Sequence, residues 1–161
     1  ASRINIHRDT WGTNLYQQVN WWAPVSNVEE KNTMIFYPDY FDVPVKNTTS
    51  TWDLNIYLAN RKKGDFSYPS APQLKENLPS NIKKLPVTIK PGEILCFSGA
   101  HLHSSSKEKS ENTRISFEIR TICENDLNSS AQAPNVDCDL QWKFPKIFKK
   151  INDNSPLKIT S

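Results

Sequence analysis

All three histidines of this 161-residue chain stand beside other groups that do chemistry. His7-Arg8-Asp9 lies near the start. The stretch from Pro91 to Thr121, PGEILCFSGAHLHSSSKEKSENTRISFEIRT, carries His101, His103 and Arg114. Two imidazoles and one carboxylate are the donor set of a non-haem Fe(II) centre, which keeps metal positions open for a cosubstrate and O2. A His-x-Asp triplet alone is weak evidence for this, because a strand histidine is more often simply hydrogen-bonded. The arginine strengthens it: a planar guanidinium at the head of a strand suits a dicarboxylate cosubstrate, which it can grip with two parallel hydrogen bonds. His101 and His103 are two residues apart and share a strand face, so parity leaves open which of them joins His7 and Asp9.

These residues need strands to bring them together. From Arg3 to Asp9 polar and apolar residues alternate, the period of a strand. This pattern puts Asn5, His7 and Asp9 on one face and Ile4 and Ile6 on the other. Further strands are expected over Leu15–Val25, Thr33–Tyr37, Leu85–Ile89, Glu93–Phe97 and Thr113–Cys123. Lys90-Pro91-Gly92 is a turn between two of them. The stretch Ser50-Thr51-Trp52-Asp53 is placed to cap a short helix reaching about Lys62. The segment 64–81 carries Pro69, Pro72 and Pro79 without periodicity, and a loop of that length is expected to be mobile and to act as a lid. Many short strands with few helices predict a mainly β fold, a sandwich or barrel. Residues 1–125 are expected to form the core. Residues 126–161 form a C-terminal extension that packs on it or trails from it, ending in a tail with one helical turn.

Length fits one domain. A hydrophobic share of only 37% leaves the five Trp, five Tyr and seven Phe to supply much of the buried surface. No apolar run approaches the roughly 20 residues that span a bilayer. Cys96, Cys123 and Cys138, odd in number and widely spaced, make no disulfide framework, which favours a reducing compartment and a cytoplasmic location. The net charge of +3 is spread over scattered lysines, so neither nucleic acid nor membrane is an expected partner.

The segments HRDTWGTNLYQQVNWWAPV, NTMIFYPDYF and FSGAHLHSSSKEKSENTRISFEIRT together resemble the phytanoyl-CoA dioxygenase-like branch of the 2-oxoglutarate/Fe(II) oxygenases, over about Ile4 to Asp137. The resemblance implies a double-stranded β-helix, a jelly-roll or cupin-like fold. It also implies Fe(II) as cofactor and 2-oxoglutarate as cosubstrate, with O2 consumed and succinate and CO2 released. His7, Asp9 and His103 would be the metal ligands. The family spacing selects His103 over His101, because His103 lies six positions after Phe97 and eleven before Arg114. Arg114 would anchor the distal carboxylate of 2-oxoglutarate with help from Ser105, and Trp22 would line the cosubstrate pocket. Asn20 and Gln18 share the parity of Trp22 and are polar candidates for the same pocket. Arg120, on the face of Arg114, either meets an anionic substrate or pairs with Glu118. Arg8 and Trp11 are expected at the mouth of the site and His101 beside it, as substrate contacts. The related halogenases lack the aspartate, so Asp9 favours hydroxylation of a small molecule.

In this family more chain precedes the His-x-Asp motif than the six residues found here, so the sequence is expected to be part of a longer protein. The outer face formed by Ile4, Ile6, Ile115, Phe117 and Ile119 would then need cover. Two rival readings remain. One is a cupin-like metal- or ligand-binding protein without oxygenase activity. The other is an oxygenase acting on protein, which requires an open peptide groove.

Overall fold

The computed structural model describes residues 4–106, 110–143 and 145–157. Six strands form two antiparallel sheets of three strands each. The first has the order β4-β1-β6 and comprises β4 (Leu95–Ser98), β1 (Val19–Pro24) and β6 (Ser116–Thr121). The second has the order β3-β2-β5 and comprises β3 (Leu85–Pro86), β2 (Met34–Phe36) and β5 (His103–Ser105). The two helices are α1 (Thr10–Thr13) and α2 (Leu54–Lys62). The mainly β expectation holds, and every observed strand is shorter than its alternating pattern.

The sheets face each other through aromatic side chains. Trp22 and Phe97 from the first sheet bury against Met34, Phe36 and Val87 from the second and its margin. Phe36 and Phe97 meet edge to face with ring centroids 5.0 Å apart, a favoured geometry for two quadrupoles. Strand parity then decides what else lies between the sheets. On β1, Asn20 and Trp22 are buried and point inward, while Trp21 points out and is 38% exposed. Across the ladder Asn20 is opposite Arg120 and Trp22 is opposite Glu118, so both charged residues of β6 share the inward face. The turn before β4 runs through Gly92 at φ +95°, a backbone conformation that only glycine adopts without strain.

A second cluster gathers Trp11, Tyr16, Tyr37, Trp52, Leu102, Cys138 and Leu140. It forms around a buried ion pair that the sequence pattern did not suggest. Arg8 is 2% exposed and uses all five of its N–H donors. Nε donates to Asp137 Oδ2 at 3.1 Å, Nη1 to the carbonyls of Phe41 and Ala100, and Nη2 to those of Tyr40 and Val43. Trp11, fully buried, donates its indole N–H to the other Asp137 oxygen at 2.7 Å. Arg8 and Trp11 are therefore removed from the mouth of any site. A guanidinium this deep must satisfy every donor, and the chain around it does so with carbonyls that have no sheet partner.

The strand expected over 3–9 is reduced to a single bridge, His7 opposite His103. Beyond it the chain turns, and Asp9 already has the helical angles φ −64° and ψ −30° that start α1. Ile6 packs against the cluster around Trp11, and so does not join the exposed Ile4, Ile115, Phe117 and Ile119. The helix capped by Asp53 forms as expected, with the carboxylate accepting from Asn55 N and Ile56 N. The segment 64–81 is tied down at several points. Trp52 donates to the Pro69 carbonyl, Gln73 N to Thr48 Oγ1 and Lys75 N to the Lys46 carbonyl, and Pro72 is fully buried. These bonds and the burial of Pro72 anchor the middle of the segment. The C-terminal stretch likewise does not hang loose: Phe148 and Leu157 bury against Leu15. Arg3 of the expected first strand and residues 158–161 of the tail lie outside the described residues. None of the described helices is long and apolar enough to cross a membrane.

Removing Arg8 would leave Asp137 charged and four carbonyls unpaired in the interior. Arg8→Ala should therefore cost about 3–5 kcal/mol of stability, read as a fall in urea midpoint at unchanged slope. A loss below about 1 kcal/mol would show that the ion pair does not organise this region.

Candidate metal centre

His7 and His103 reach the same point because their backbones pair. The amide of each donates to the carbonyl of the other, at 2.9 and 3.0 Å, and the ring centroids lie 4.3 Å apart. Each ring is oriented from behind. His7 Nδ1 lies 2.8 Å from the Asn5 carbonyl, and His103 Nδ1 lies 2.9 Å from the His101 carbonyl. A carbonyl can only accept, so the proton sits on Nδ1 and the Nε2 lone pair of each ring faces inward. Asp9 arrives through the turn into α1. Its Oδ1 is 3.4 Å from His7 Nε2, and its Oδ2 is 3.6 Å from His103 Nε2. The three ligand atoms lie within 4.8 Å of one another and all three residues are buried. This group can hold a metal ion and resembles a facial triad. His7 and Asp9 converge by a turn, not by the strand parity that the sequence suggested.

The carboxylate is held on both sides. Asn20 Nδ2 donates to Oδ2, and Arg120 Nη2 donates to Oδ1 at 2.8 Å. Behind Asn20 stands a relay of buried amides: Gln18 Nε2 donates to Asn20 Oδ1 at 2.8 Å, and Thr13 Oγ1 donates to Gln18 Oε1 at 3.2 Å. Asn20 and Gln18 are 0% and 1% exposed. They stand behind the Asp9 carboxylate and are not among the residues that line the cavity beside the triad. Gly99 leaves room for the relay, since a Cβ there would come within 2.9 Å of Gln18 Nε2.

Electrostatics follow from burial. Burial alone would raise the Asp9 carboxyl, but its close imidazole neighbours His7 and His103 and the Arg120 guanidinium hold it well below the usual carboxylate range. Burial pushes the His103 imidazole down to about 4, against the pull of Asp9. The site therefore presents an ionised carboxylate and a neutral His103 near neutrality, the states a metal needs.

A cavity of about 190 Å³ opens from the histidines and is lined by Trp22, Ser105, Arg114, Ser116, Glu118 and Arg120 among others. Arg114 sits with its guanidinium carbon 5.7 Å from the Trp22 ring centroid. Its Nη1 is buried and has no hydrogen-bond partner among the described residues. Burial without a counter-charge pushes the Arg114 guanidinium down. Ser105 borders the same cavity, its hydroxyl 3.4 Å from Ile4 N. Trp22 combines this position with a place in the aromatic core. Arg120 bonds Glu118, as one of its two alternatives required, and also reaches Asp9. His101 stands apart from the triad, half-buried, with Nδ1 on the Ser98 carbonyl and its ring tilted against Phe41 at 4.6 Å. Residues that sequence reasoning missed are Asp137, Gly99 and Thr13, none of which carried a usable signal.

No family model matches the chain, and no curated protein matches it.

The His103 shift has a consequence for the metal-free protein. Its folded pKa of about 4 lies below the ordinary 6.5, so between those values the unfolded chain binds the proton and the fold does not. Stability is then full above pH 6.5 and falls as pH drops through that window, by roughly 3 kcal/mol for this group. Asp9, also depressed, adds a further loss at lower pH. Thermal midpoints measured with chelator between pH 7 and 4 should fall, and His103→Gln should flatten the slope. An equal slope in the variant would contradict the assignment.

Proposed function

We propose that this chain is an Fe(II)/2-oxoglutarate-dependent oxygenase of the phytanoyl-CoA dioxygenase-like branch, hydroxylating a small molecule. The observation that carries the reading is Arg114. Arg114, with a buried and unpartnered guanidinium nitrogen, lines the same cavity as His7 and the neutral His103, and the ionised Asp9 lies directly behind those two rings. An unpaired buried donor of this kind is costly unless an anion completes it. A ligand that offers a carboxylate to Arg114 and a chelating 2-oxo acid group to the metal would satisfy both ends of the cavity.

The donor set fits Fe(II): two imidazoles and one carboxylate with open positions, each ring fixed by a carbonyl behind it. When bound, the metal would supply O2 activation coupled to oxidative decarboxylation of 2-oxoglutarate to succinate and CO2. The chain's own residues supply the rest. Arg114 fixes the distal carboxylate as a planar fork, and Ser105 offers a hydroxyl beside it. Trp22, its ring centroid 5.7 Å from the guanidinium carbon, would shield the ion pair from water and so strengthen it. Asn20 and the relay behind it hold Asp9 in one orientation. The two facing sheets, with His103 on one and Arg114 leading into the other, support the double-stranded β-helix reading. A cupin-like metal-binding protein shares the triad, but it gives no reason for the unsatisfied Arg114.

Succinate should form from 2-oxoglutarate with Fe(II) and ascorbate, even without the substrate to be hydroxylated. His103→Ala should abolish this, and His101→Ala should leave it measurable. Metal binding with no 2-oxo acid turnover would favour the cupin-like protein. Arg114→Ala should weaken 2-oxoglutarate binding by about 2–5 kcal/mol with metal affinity nearly unchanged. Arg114→Lys should recover part, because an ammonium cannot make the fork. Unaltered cosubstrate affinity in Arg114→Ala would refute the anchor.

A further inference from the structure

The two oxygens of Asp9 are held by partners of different kinds. Oδ2 is held by Asn20, which is 0% exposed and locked by Gln18, whose side-chain amide lies 2.9 Å from where a Cβ on Gly99 would stand. Oδ1 is held by Arg120, whose side chain is 41% exposed and lines the open cavity. Arg120 also has a second carboxylate partner: its Nε donates to Glu118 Oε1 at 2.8 Å, while its Nη2 donates to Asp9. One bond of the guanidinium can therefore break while the other persists.

From this asymmetry we propose that Arg120 is a resident counter-ion for the metal-free site, and that an incoming divalent metal takes Asp9 Oδ1 from it. This inference rests on the metal reading of His7, Asp9 and His103. A buried carboxylate is strongly destabilising without a positive partner. Arg120 supplies that partner when no metal is bound, so the site stays folded and the carboxylate ionised. The metal then replaces one cation by another at the same oxygen. The guanidinium withdraws towards Glu118, and Asn20 keeps Oδ2 in place throughout. Ligation through Oδ1, the oxygen on the cavity side near His7 Nε2, follows from the same asymmetry.

The two supports of Asp9 must then act with opposite signs. Asn20 orients the ligand, so losing it weakens metal binding. Arg120 competes with and repels the metal, so losing it strengthens binding. A dication and a guanidinium a few ångströms apart in a water-accessible site repel by about 1–2 kcal/mol, on the order of tenfold in affinity. Glu118→Gln removes the alternative partner and should weaken binding.

The test is calorimetric titration with Zn(II) alone, at one pH and ionic strength, of the wild type, Arg120→Gln, Asn20→Ala, Glu118→Gln and the double variant His7→Ala/His103→Ala. Arg120→Gln should bind zinc on the order of tenfold more tightly, and its metal-free form should melt earlier than the wild type. Asn20→Ala and Glu118→Gln should bind more weakly. Guanidinium proton spectra of the wild type serve as a measurement that needs no variant. On zinc saturation the Arg120 Nη2 signal should lose its hydrogen-bonded shift while its Nε signal persists, with fully bonded Arg8 as the unchanged reference. Unaltered or weaker zinc binding by Arg120→Gln, or an unmoved Nη2 signal at saturation, would make Arg120 a support and overturn the proposal. Zinc binding that survives in the double variant would instead remove the metal reading itself.

Discussion

The burial of one ionised carboxylate, Asp9, sets the terms for the rest of the site. Withdrawing a carboxylate from water costs several kcal/mol even after relaxation, and only close hydrogen-bonded partners offset it. Here the partners come from three separate parts of the chain. Asn20 belongs to β1, Arg120 to β6, and the histidines to the paired segments around residues 7 and 103. Two of these partners, Asn20 and Arg120, are direct neighbours across one ladder. The register of β1 against β6 is thus the register of the site. A slip of one residue in either strand would turn that strand's member of the pair out of the interior and bring Trp21 or Ile119 in instead.

The tripeptide His7-Arg8-Asp9 does two jobs by sending its charges in different directions. His7 and Asp9 face the metal position, while Arg8 enters the aromatic cluster and binds Asp137 together with Trp11. The Arg8 bonds tie the segments around residues 40–43, 100 and 137 to the residue between the two ligands. The stability of the aromatic cluster and the precision of the metal position are consequently linked through one residue of backbone. A metal site built this way inherits rigidity from packing far from the cavity, which is the condition for holding ligand atoms to fractions of an ångström.

Much of this was legible in the sequence, and the limits have physical causes. Alternation over 19–24 and 116–121 gave the two long strands, and with them the shared inward face of Asn20, Trp22, Glu118 and Arg120. The stretch Ser50-Thr51-Trp52-Asp53 gave the helix start to within its own length, because a cap is a local interaction. The candidate ligand set was readable from residue type, and the choice of His103 over His101 came from the family resemblance and not from the strand pattern. The turn at Asp9 was not, since a strand pattern of seven residues looks alike whether it is paired along its length or at one bridge. Nor could the amide relay be separated from pocket lining: parity tells which face Gln18 and Asn20 take, not what stands before them. Asp137 was invisible because it acts at a separation of 129 residues from Arg8, within a polar stretch that carries no period. The prolines of 64–81 signalled irregular backbone correctly, but irregular backbone can be firmly bonded, as the middle of this segment is.

The central claim is that the triad and Arg114 together bind a 2-oxo dicarboxylate on Fe(II). It is tested most directly by anaerobic titration of the Fe(II)-loaded protein with 2-oxoglutarate, followed by visible absorption. A 2-oxo acid chelated to Fe(II) through its keto and carboxylate oxygens absorbs visible light, and neither partner alone does. The account predicts a saturable visible band in the wild type. The band should be absent in His103→Ala and should require a much higher 2-oxoglutarate concentration in Arg114→Ala. A protein that holds Fe(II) yet develops no band, or one whose band saturates identically in Arg114→Ala, would contradict it.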